Sequence, residues 1–177
     1  VGTGAAALSN ASTEVFLDEY APNGTKVQSI ALPTAASGSN QPLTAAGTST
    51  SEGMITRSTD GKFIVATGYA AAPGTASIAT SAAATYNRVI GRIAADATTI
   101  DTSTTLTSFS GSSIRSVAST DGSKFWASGG NSGVIFQGLG GSGNGTTVSS
   151  VTSSGNLTNL RNIGIFNNQR SEEHTSE

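Results

Sequence analysis

The sequence predicts an all-β fold built from antiparallel repeats. Residues 58–61 (Ser-Thr-Asp-Gly) return sixty-one positions later as residues 119–122, and each copy is followed by a strand-like run that ends at a glycine, 62–68 and 123–129. The rest of the chain alternates between short strand-like runs and turn residues, without a convincing amphipathic helix. Repeats bury a core by covering one another's apolar faces, so this pattern indicates architecture rather than chemistry.

The first element that the sequence predicts is a β-hairpin. Residues 14–20 and 25–32 are two strand-like runs around the turn 21–24 (Ala-Pro-Asn-Gly). The proline presets φ for a turn, and the Asn-Gly pair tolerates positive φ, as hairpin connections require. The next stretch, 34–51, is rich in Ala, Ser, Thr and Gly and is predicted to be a linker.

Two repeats of four strands each are predicted after the linker. The strands of the first repeat are expected at 53–57, 62–69, 87–94 and within 98–106. The strands of the second repeat are expected at 113–118, 124–128, 133–139 and 146–151. A third repeat begins at 159–167, where Arg161 takes the place of Arg115 at an offset of forty-six residues. The shorter offset predicts loops of variable length on a constant strand scaffold.

Four antiparallel strands per repeat are what a β-propeller blade requires, and known blade repeats are about 40 to 50 residues long. The sequence therefore predicts a partial β-propeller of four-stranded antiparallel blades. Its parts are half a blade at about 14–32, full blades at about 53–106 and 113–151, and the first strand of another at about 159–167. Propellers close with about 4–8 blades, so we expect residues 1–169 to be a fragment of one propeller domain. A β-sandwich or a β-solenoid is the alternative, because short strands between turns suit those folds too.

The repeated motif resembles a known class of repeats. Residues 58–68 (Ser-Thr-Asp-Gly-Lys-Phe-Ile-Val-Ala-Thr-Gly) look like the Ser-Pro-Asp-Gly-Lys signature of bacterial WD40-like, TolB-type and YVTN-type propeller repeats. Thr59 and Thr120 stand where that signature has proline. Residues 1–169 are similar in style to secreted bacterial proteins with such Asp-Gly strand repeats. The resemblance implies an extracytoplasmic scaffold and brings no catalytic residue to this chain.

The last eight residues differ from the rest in composition. Residues 170–177 (Arg-Ser-Glu-Glu-His-Thr-Ser-Glu) resemble the translation of a widely used short-read sequencing adapter, and we interpret them as an artefact outside the propeller domain. Without their three acidic residues and one basic residue, the 11 acidic and 9 basic residues of the chain become eight of each. A neutral chain without a Lys/Arg cluster lacks the charge pattern of nucleic-acid binding, and no apolar run approaches the length of a membrane helix. We expect neither nucleic acid nor membrane insertion.

Residue types that carry catalysis are scarce. The only histidine, His174, lies in the adapter-like segment, and the chain has no cysteine. The sequence therefore predicts no catalytic residue, because residues 1–169 can form neither a Ser-His-Asp triad nor a histidine zinc site. Residues 138–143 match the glycine spacing of a dinucleotide-binding loop, but no helix-forming segment follows them, so we predict a flexible loop and no cofactor.

Two pairs of charged residues are candidates for binding. Asp96 and Asp101 bracket a loop whose carbonyl and hydroxyl oxygens could complete a calcium site. Arg115 and Arg161 lie on the first strands of their repeats, which line the central channel of a propeller. Guanidinium groups in that position would bind carboxylate or phosphate.

Two classes of function follow from these observations. The first is a non-enzymatic secreted or cell-surface propeller scaffold for protein or carbohydrate interaction. It is favoured by the variable loops, the neutral polar composition and the lack of catalytic groups. The alternative is a fragment of a propeller enzyme, a metal-assisted hydrolase or lyase, whose active site lies on missing blades.

Overall fold

The computed structural model describes residues 1–149, 157–167 and 169–174. The fold is all-β with antiparallel sheets, 43% strand and 2% helix, which confirms the all-β prediction. Within the described residues the strands, numbered in chain order, are β1 Ser12–Glu14, β2 Phe16–Tyr20, β3 Lys26–Ala31, β4 Thr44–Ala46, β5 Thr56–Arg57, β6 Phe63–Tyr69, β7 Arg88–Ala94, β8 Ile100–Leu106, β9 Ile114–Ser119, β10 Lys124–Gly129, β11 Ile135–Gly138, β12 Thr146–Thr147, β13 Leu160–Phe166 and β14 Gln169–His174.

Two sheets contain a four-stranded meander in chain order. Strands β5 to β8 form the first unit, and strands β9 to β12 form the second unit. In the first unit, the short strands β4 and β1 continue the sheet beyond the end of β6. The eight strands of the units are present where the sequence predicts them. The first one, β5, and the last one, β12, are each two residues long and shorter than predicted, and the predicted strand end at Val151 lies outside the described residues.

The repeated Ser-Thr-Asp-Gly segment makes similar turns in both units, although Gly61 N–H donates to the Ser58 carbonyl and Gly122 N–H donates to the Ser119 hydroxyl. Asp60 Oδ1 accepts the backbone N–H of Lys62 at 3.1 Å, and Asp121 Oδ1 accepts that of Ser123 at 2.9 Å. The glycine that follows each aspartate has a φ of +76°, a left-handed conformation that glycine adopts without steric cost. The sequence repeat is therefore also a structural repeat.

Successive units lie side by side, with equivalent residues in contact. The Thr56 hydroxyl donates to the carbonyl of Val117 at 2.6 Å, and the Thr59 hydroxyl donates to the carbonyl of Thr120 at 3.0 Å. Each of these pairs is separated by the sixty-one residues of the repeat. The Ser116 hydroxyl donates to Asn162 at 2.9 Å across the shorter offset of forty-six. Strands β5, β9 and β13 are consequently neighbours.

The apolar core lies between these layers. The largest cluster joins the facing sides of the two units through Val65, Tyr69, Ile90, Leu106, Ile114, Val117, Phe125 and Ile135. A second cluster packs the β2–β3 hairpin against β7 and β8 through Leu17, Leu32, Val89, Ile93 and Ile100. A third packs β13 against the second unit through Ala118, Val134, Leu160 and Ile163.

Segment 34–51, predicted to be a linker, contains the buried strand β4, so that prediction is wrong in part. A run of Thr-Ala-Ala is too short to show the period of two that marks a strand in sequence, and it forms because it pairs with β1 and with Tyr69 at the end of β6. None of the sheets formed by the described residues closes on itself.

Candidate functional site

Three connections meet at one end of the two units, and we call this region the loop end: residues 70–87, 107–113 and 130–134. The longest connection, 70–87, contains a short 3-10 helix, whose Ile78 is buried in the core between the units. Its backbone is hydrogen-bonded to the second connection, 107–113, because Ala83 N–H donates to the Ser110 hydroxyl at 3.1 Å. The loop end is thus a packed part of the fold.

Arg88 is the buried cation that fastens the loop end. Its guanidinium donates to four backbone carbonyls at 2.8–2.9 Å, those of Ser81, Tyr86, Phe109 and Ser112. It also lies over the ring of Tyr69, 5.0 Å from the ring centre. Burial lowers the pKa of Arg88. With both terminal nitrogens committed to carbonyls, this guanidinium acts as a structural crosslink rather than as a ligand site.

Glu52 is the carboxylate of the same network. Its Oε1 accepts the hydroxyl of Tyr69 at 2.8 Å, and its Oε2 accepts the backbone N–H of Ala46 at 3.2 Å. Burial raises the pKa of Glu52. Burial also raises the pKa of Tyr69, and the neighbouring Glu52 charge raises it further, so the phenol stays protonated and can donate. Carboxylate, phenol and guanidinium therefore form one continuous structural network.

The structure places Arg115 and Arg161 on the neighbouring strands β9 and β13. Arg115 donates to the side chain of Asn159 at 2.7 Å, which ties β9 to the next strand. Burial lowers the pKa of Arg115, and the charge of Arg161 lowers it further. Arg57, on β5, instead donates to the carbonyl of Gly61 in its own turn at 2.9 Å. Arg57 is thus bonded within its own turn, whereas Arg115 and Arg161 are near enough for their charges to interact. Anion binding by Arg115 and Arg161 stays a prediction.

The two candidate calcium ligands belong to separate hydrogen-bond networks. Asp96 accepts the backbone N–H and the hydroxyl of Thr99, each at 2.8 Å, and the backbone bond is the main cause of a lowered pKa of Asp96. Asp101 accepts Ser103 N–H at 2.9 Å and lies 3.3 Å from the guanidinium of Arg92. Among the described residues, no three His, Cys, Asp or Glu side chains cluster as metal ligands would. Calcium binding by this pair stays a prediction.

The glycine-rich loop 138–143 lies against β8, at the edge of the first unit. Gly140 N–H donates to the Thr104 hydroxyl at 2.9 Å, and the carbonyl of Gly141 accepts Thr105 N–H at 2.9 Å. The loop leads into strand β12 instead of a helix. It has neither the following helix nor the free backbone N–H of Gly140 that a phosphate-binding loop would use.

The described residues form at least two concave surfaces that are open to solvent. The first, which we call the polar depression, has a volume of about 320 Å³ and lies at the loop end between the two units. Its rim carries hydroxyl and amide side chains and no charged residue: Thr107, Ser108, Ser110, Asn131, Ser132 and Asn144. Phe109 and Ile135, both buried, lie beneath it.

The second, which we call the apolar groove, has a volume of about 640 Å³ and lies between the β2–β3 hairpin and the first unit. Three large aliphatic side chains are exposed in it, Val1 (54%), Ile55 (54%) and Ile64 (39%). Leu17 and Ile30 of the hairpin line the opposite wall. Exposed apolar surfaces of this kind are typical of interaction sites.

Comparison with protein-family models, with curated protein sequences and with solved structures finds no match to this chain. Within the described residues, no helix has the length and apolar character needed to cross a bilayer. Sequence reasoning missed the network of Glu52, Tyr69 and Arg88. Its signal was Arg88 itself, an arginine between a long loop and an apolar strand, but sequence could not identify its carbonyl partners.

Proposed function

We propose that this chain is part of a bacterial β-propeller, with the two four-stranded units as blades, and that it is a non-enzymatic secreted or cell-surface scaffold for carbohydrate or protein. The meander order of each unit supports this architecture, as does the contact between equivalent residues of successive first strands. The composition, rich in Ser, Thr, Gly and Ala and free of cysteine, supports the extracellular location.

The observation that carries the proposal is the polar depression at the loop end. Hydroxyl and amide groups without charge are suited to a neutral ligand that is itself rich in hydroxyl groups, as a glycan is. Several of these groups already bond one another, for example Asn131, which donates to the carbonyl of Ser110 at 3.0 Å. A ligand would add to a preformed network, and we expect weak binding with a Kd on the order of 1 mM.

The carboxylates support binding over catalysis. Asp60, Asp96 and Asp121 each accept bonds inside their own turns, and these bonds lower their pKa values. Such groups are fully ionised near neutral pH and are poor general acids. Glu52, the carboxyl group whose pKa is raised, is bonded to Tyr69 and Ala46.

The test is a titration of the isotopically labelled chain with maltohexaose and with chitotriose, followed by amide NMR spectra. We expect shifts confined to the polar depression, and Asn131→Ala should weaken binding by about fivefold, the value of one hydrogen bond. Asn23→Ala, at the hairpin turn, is the matched control and should leave binding unchanged. No shift with either sugar at about 10 mM, ten times the expected Kd, would reject a glycan at this position.

A further inference from the structure

The repeat shows what should cover the apolar groove. Ile64 of β6 and Phe125 of β10 occupy equivalent positions, sixty-one residues apart. Phe125 is completely buried, because Val65 and Ile90 of the first unit belong to the cluster that covers it. Ile64 is 39% exposed. The same position is therefore covered in one unit and open in the other, and the cover in the second unit comes from the strands of the unit before it.

The β2–β3 hairpin covers only the outer half of the same face. Ile64 lies directly opposite Ile93 in the β6–β7 register, so the two side chains are on one face of the sheet. Ile93, on the third strand of the unit, is 2% exposed because the hairpin packs on it. The hairpin thus lies where the third and fourth strands of a neighbouring four-stranded unit would lie. The apolar groove lies where the first and second strands of that unit would lie.

Strand β2 presents an open edge beside this groove. It pairs with β3 alone in the described part of the chain. Leu32 N–H donates to the carbonyl of Val15 at 3.0 Å. From Val15 onward, the backbone N–H and C=O groups of successive residues point alternately toward β3 and away from it. The backbone groups of Leu17 consequently point toward β3, whereas those of Phe16 and Asp18 point toward the open side. An open edge of this kind is a template for another strand.

We infer that the apolar groove is the docking surface for a two-stranded β-hairpin of an adjoining four-stranded unit. The hairpin has the chemistry of this chain's own β5 and β6: two strands joined by a Ser-x-Asp-Gly turn, with apolar side chains at alternate positions such as Phe63 and Val65. Its second strand adds antiparallel to β2, as β6 pairs with β7, and its apolar side chains cover Ile55 and Ile64. This inference does not depend on the glycan proposal.

The test uses a fluorescent synthetic peptide of residues 53–69 and the full chain, with binding followed by anisotropy. We expect saturable binding that Ile64→Asp weakens by about tenfold or more, the scale of a central interface contact. Leu139→Asp is the matched control, since Leu139 is 38% exposed and lies outside the groove. A peptide that carries Val65→Asp should fail to bind. If circular dichroism shows that Ile64→Asp unfolds the chain, Ile55→Asp takes its place.

Three outcomes would overturn the inference. The first is no binding at about 1 mM peptide, a concentration at which a complex with a Kd in the micromolar range would be saturated. The second is equal weakening by the groove variant and by Leu139→Asp. The third is sedimentation evidence that the chain alone forms a dimer that Ile64→Asp dissociates, because the occupant would then be a second copy. Amide NMR shifts at Phe16 and Asp18 on peptide addition would support strand pairing with β2.

Discussion

The two four-stranded units have the same strand order and similar turns, but different surroundings. The face of the second unit that points toward the first unit packs against it, and Phe125 on this face is completely buried. The corresponding face of the first unit packs against the β2–β3 hairpin, which leaves Ile64 exposed. Equal sequence positions therefore make unequal contributions to stability, and substitutions in and between the two units can measure the differences.

The largest difference is expected at the loop end, where only the first unit has a long connection fastened by a buried cation. Arg88→Met would remove the guanidinium that donates to four carbonyls, and two of them, those of Tyr86 and Ser112, would lose a bond that no other backbone donor of the described residues replaces. We expect a loss of about 4 kcal/mol in the free energy of unfolding. Arg57→Met removes an exposed arginine and should cost less than about 0.5 kcal/mol. Urea denaturation of both variants measures the difference, and equal losses would contradict a structural role of Arg88.

The equivalent positions Ile64 of β6 and Phe125 of β10 should show the next largest difference in the loss of unfolding free energy. Phe125→Ala creates a cavity between the units and should cost about 3–4 kcal/mol. Ile64→Ala, in the apolar groove, should cost about 1 kcal/mol because the side chain is already in contact with water. The measurement is again urea denaturation. A loss at Ile64 as large as that at Phe125 would mean that the groove is covered in solution.

The two turn glycines should differ by a smaller amount. Both have positive φ, so Gly61→Ala and Gly122→Ala each carry a backbone cost of about 1 kcal/mol. A Cβ at Gly122 would also lie 2.6 Å from the Phe63 ring and 2.8 Å from Arg92, across the boundary between units. At Gly61 it meets only the flexible Arg57 guanidinium. We expect Gly122→Ala to be more destabilising by about 1–2 kcal/mol in thermal unfolding, and a reversed order would contradict the packing of the units.

The smallest expected difference depends on pH. Glu52 has Ser113 as its counterpart sixty-one residues later, so only the first unit carries a buried carboxyl at this position. Its pKa is raised above the ordinary 4.5, so the folded protein binds this proton more tightly than the unfolded chain does. Stability should fall as the pH rises from about 4.5 through the pKa of the folded state.

Glu52→Gln should remove that decrease. The aspartates with lowered pKa values act in a different window, since their contribution is present above the ordinary 3.8 and is lost as the pH falls below it. Melting temperatures between pH 3 and pH 8 separate the two effects. Parallel curves for the natural chain and the variant above pH 4.5 would show that Glu52 titrates as it does in the unfolded chain.

Most strands could be predicted because their signals are local, whereas β1 and β14 were not predicted. The Asp-Gly turns, the Pro-Asn-Gly hairpin turn and the apolar alternation around them each lie within a few residues. Strand β4 could not be predicted, because its three residues are stabilised by pairing with strands distant in sequence. The same reason hid the structural role of Arg88, whose carbonyl acceptors extend from Ser81 to Ser112.

The candidate sites were harder to predict than the strands. The chemistry of Asp96 and Asp101 was recognisable in the sequence, but Asp101 pairs with Arg92 through the β7–β8 register, which spacing alone does not give. The apolar groove had only an indirect sequence signal, the predicted half blade at about 14–32. It exists because Ile64 lacks the cover that Phe125 receives, and that comparison requires both packing environments.

The contact between Thr59 and Thr120 joins two copies of one position. A substitution that gene duplication carried into every unit would therefore meet itself across each boundary. A lysine there would place like charges side by side at each junction, whereas a threonine hydroxyl can donate to the carbonyl of its own duplicate. A small neutral hydroxyl residue at this position is therefore compatible with a neighbouring unit that carries the same residue.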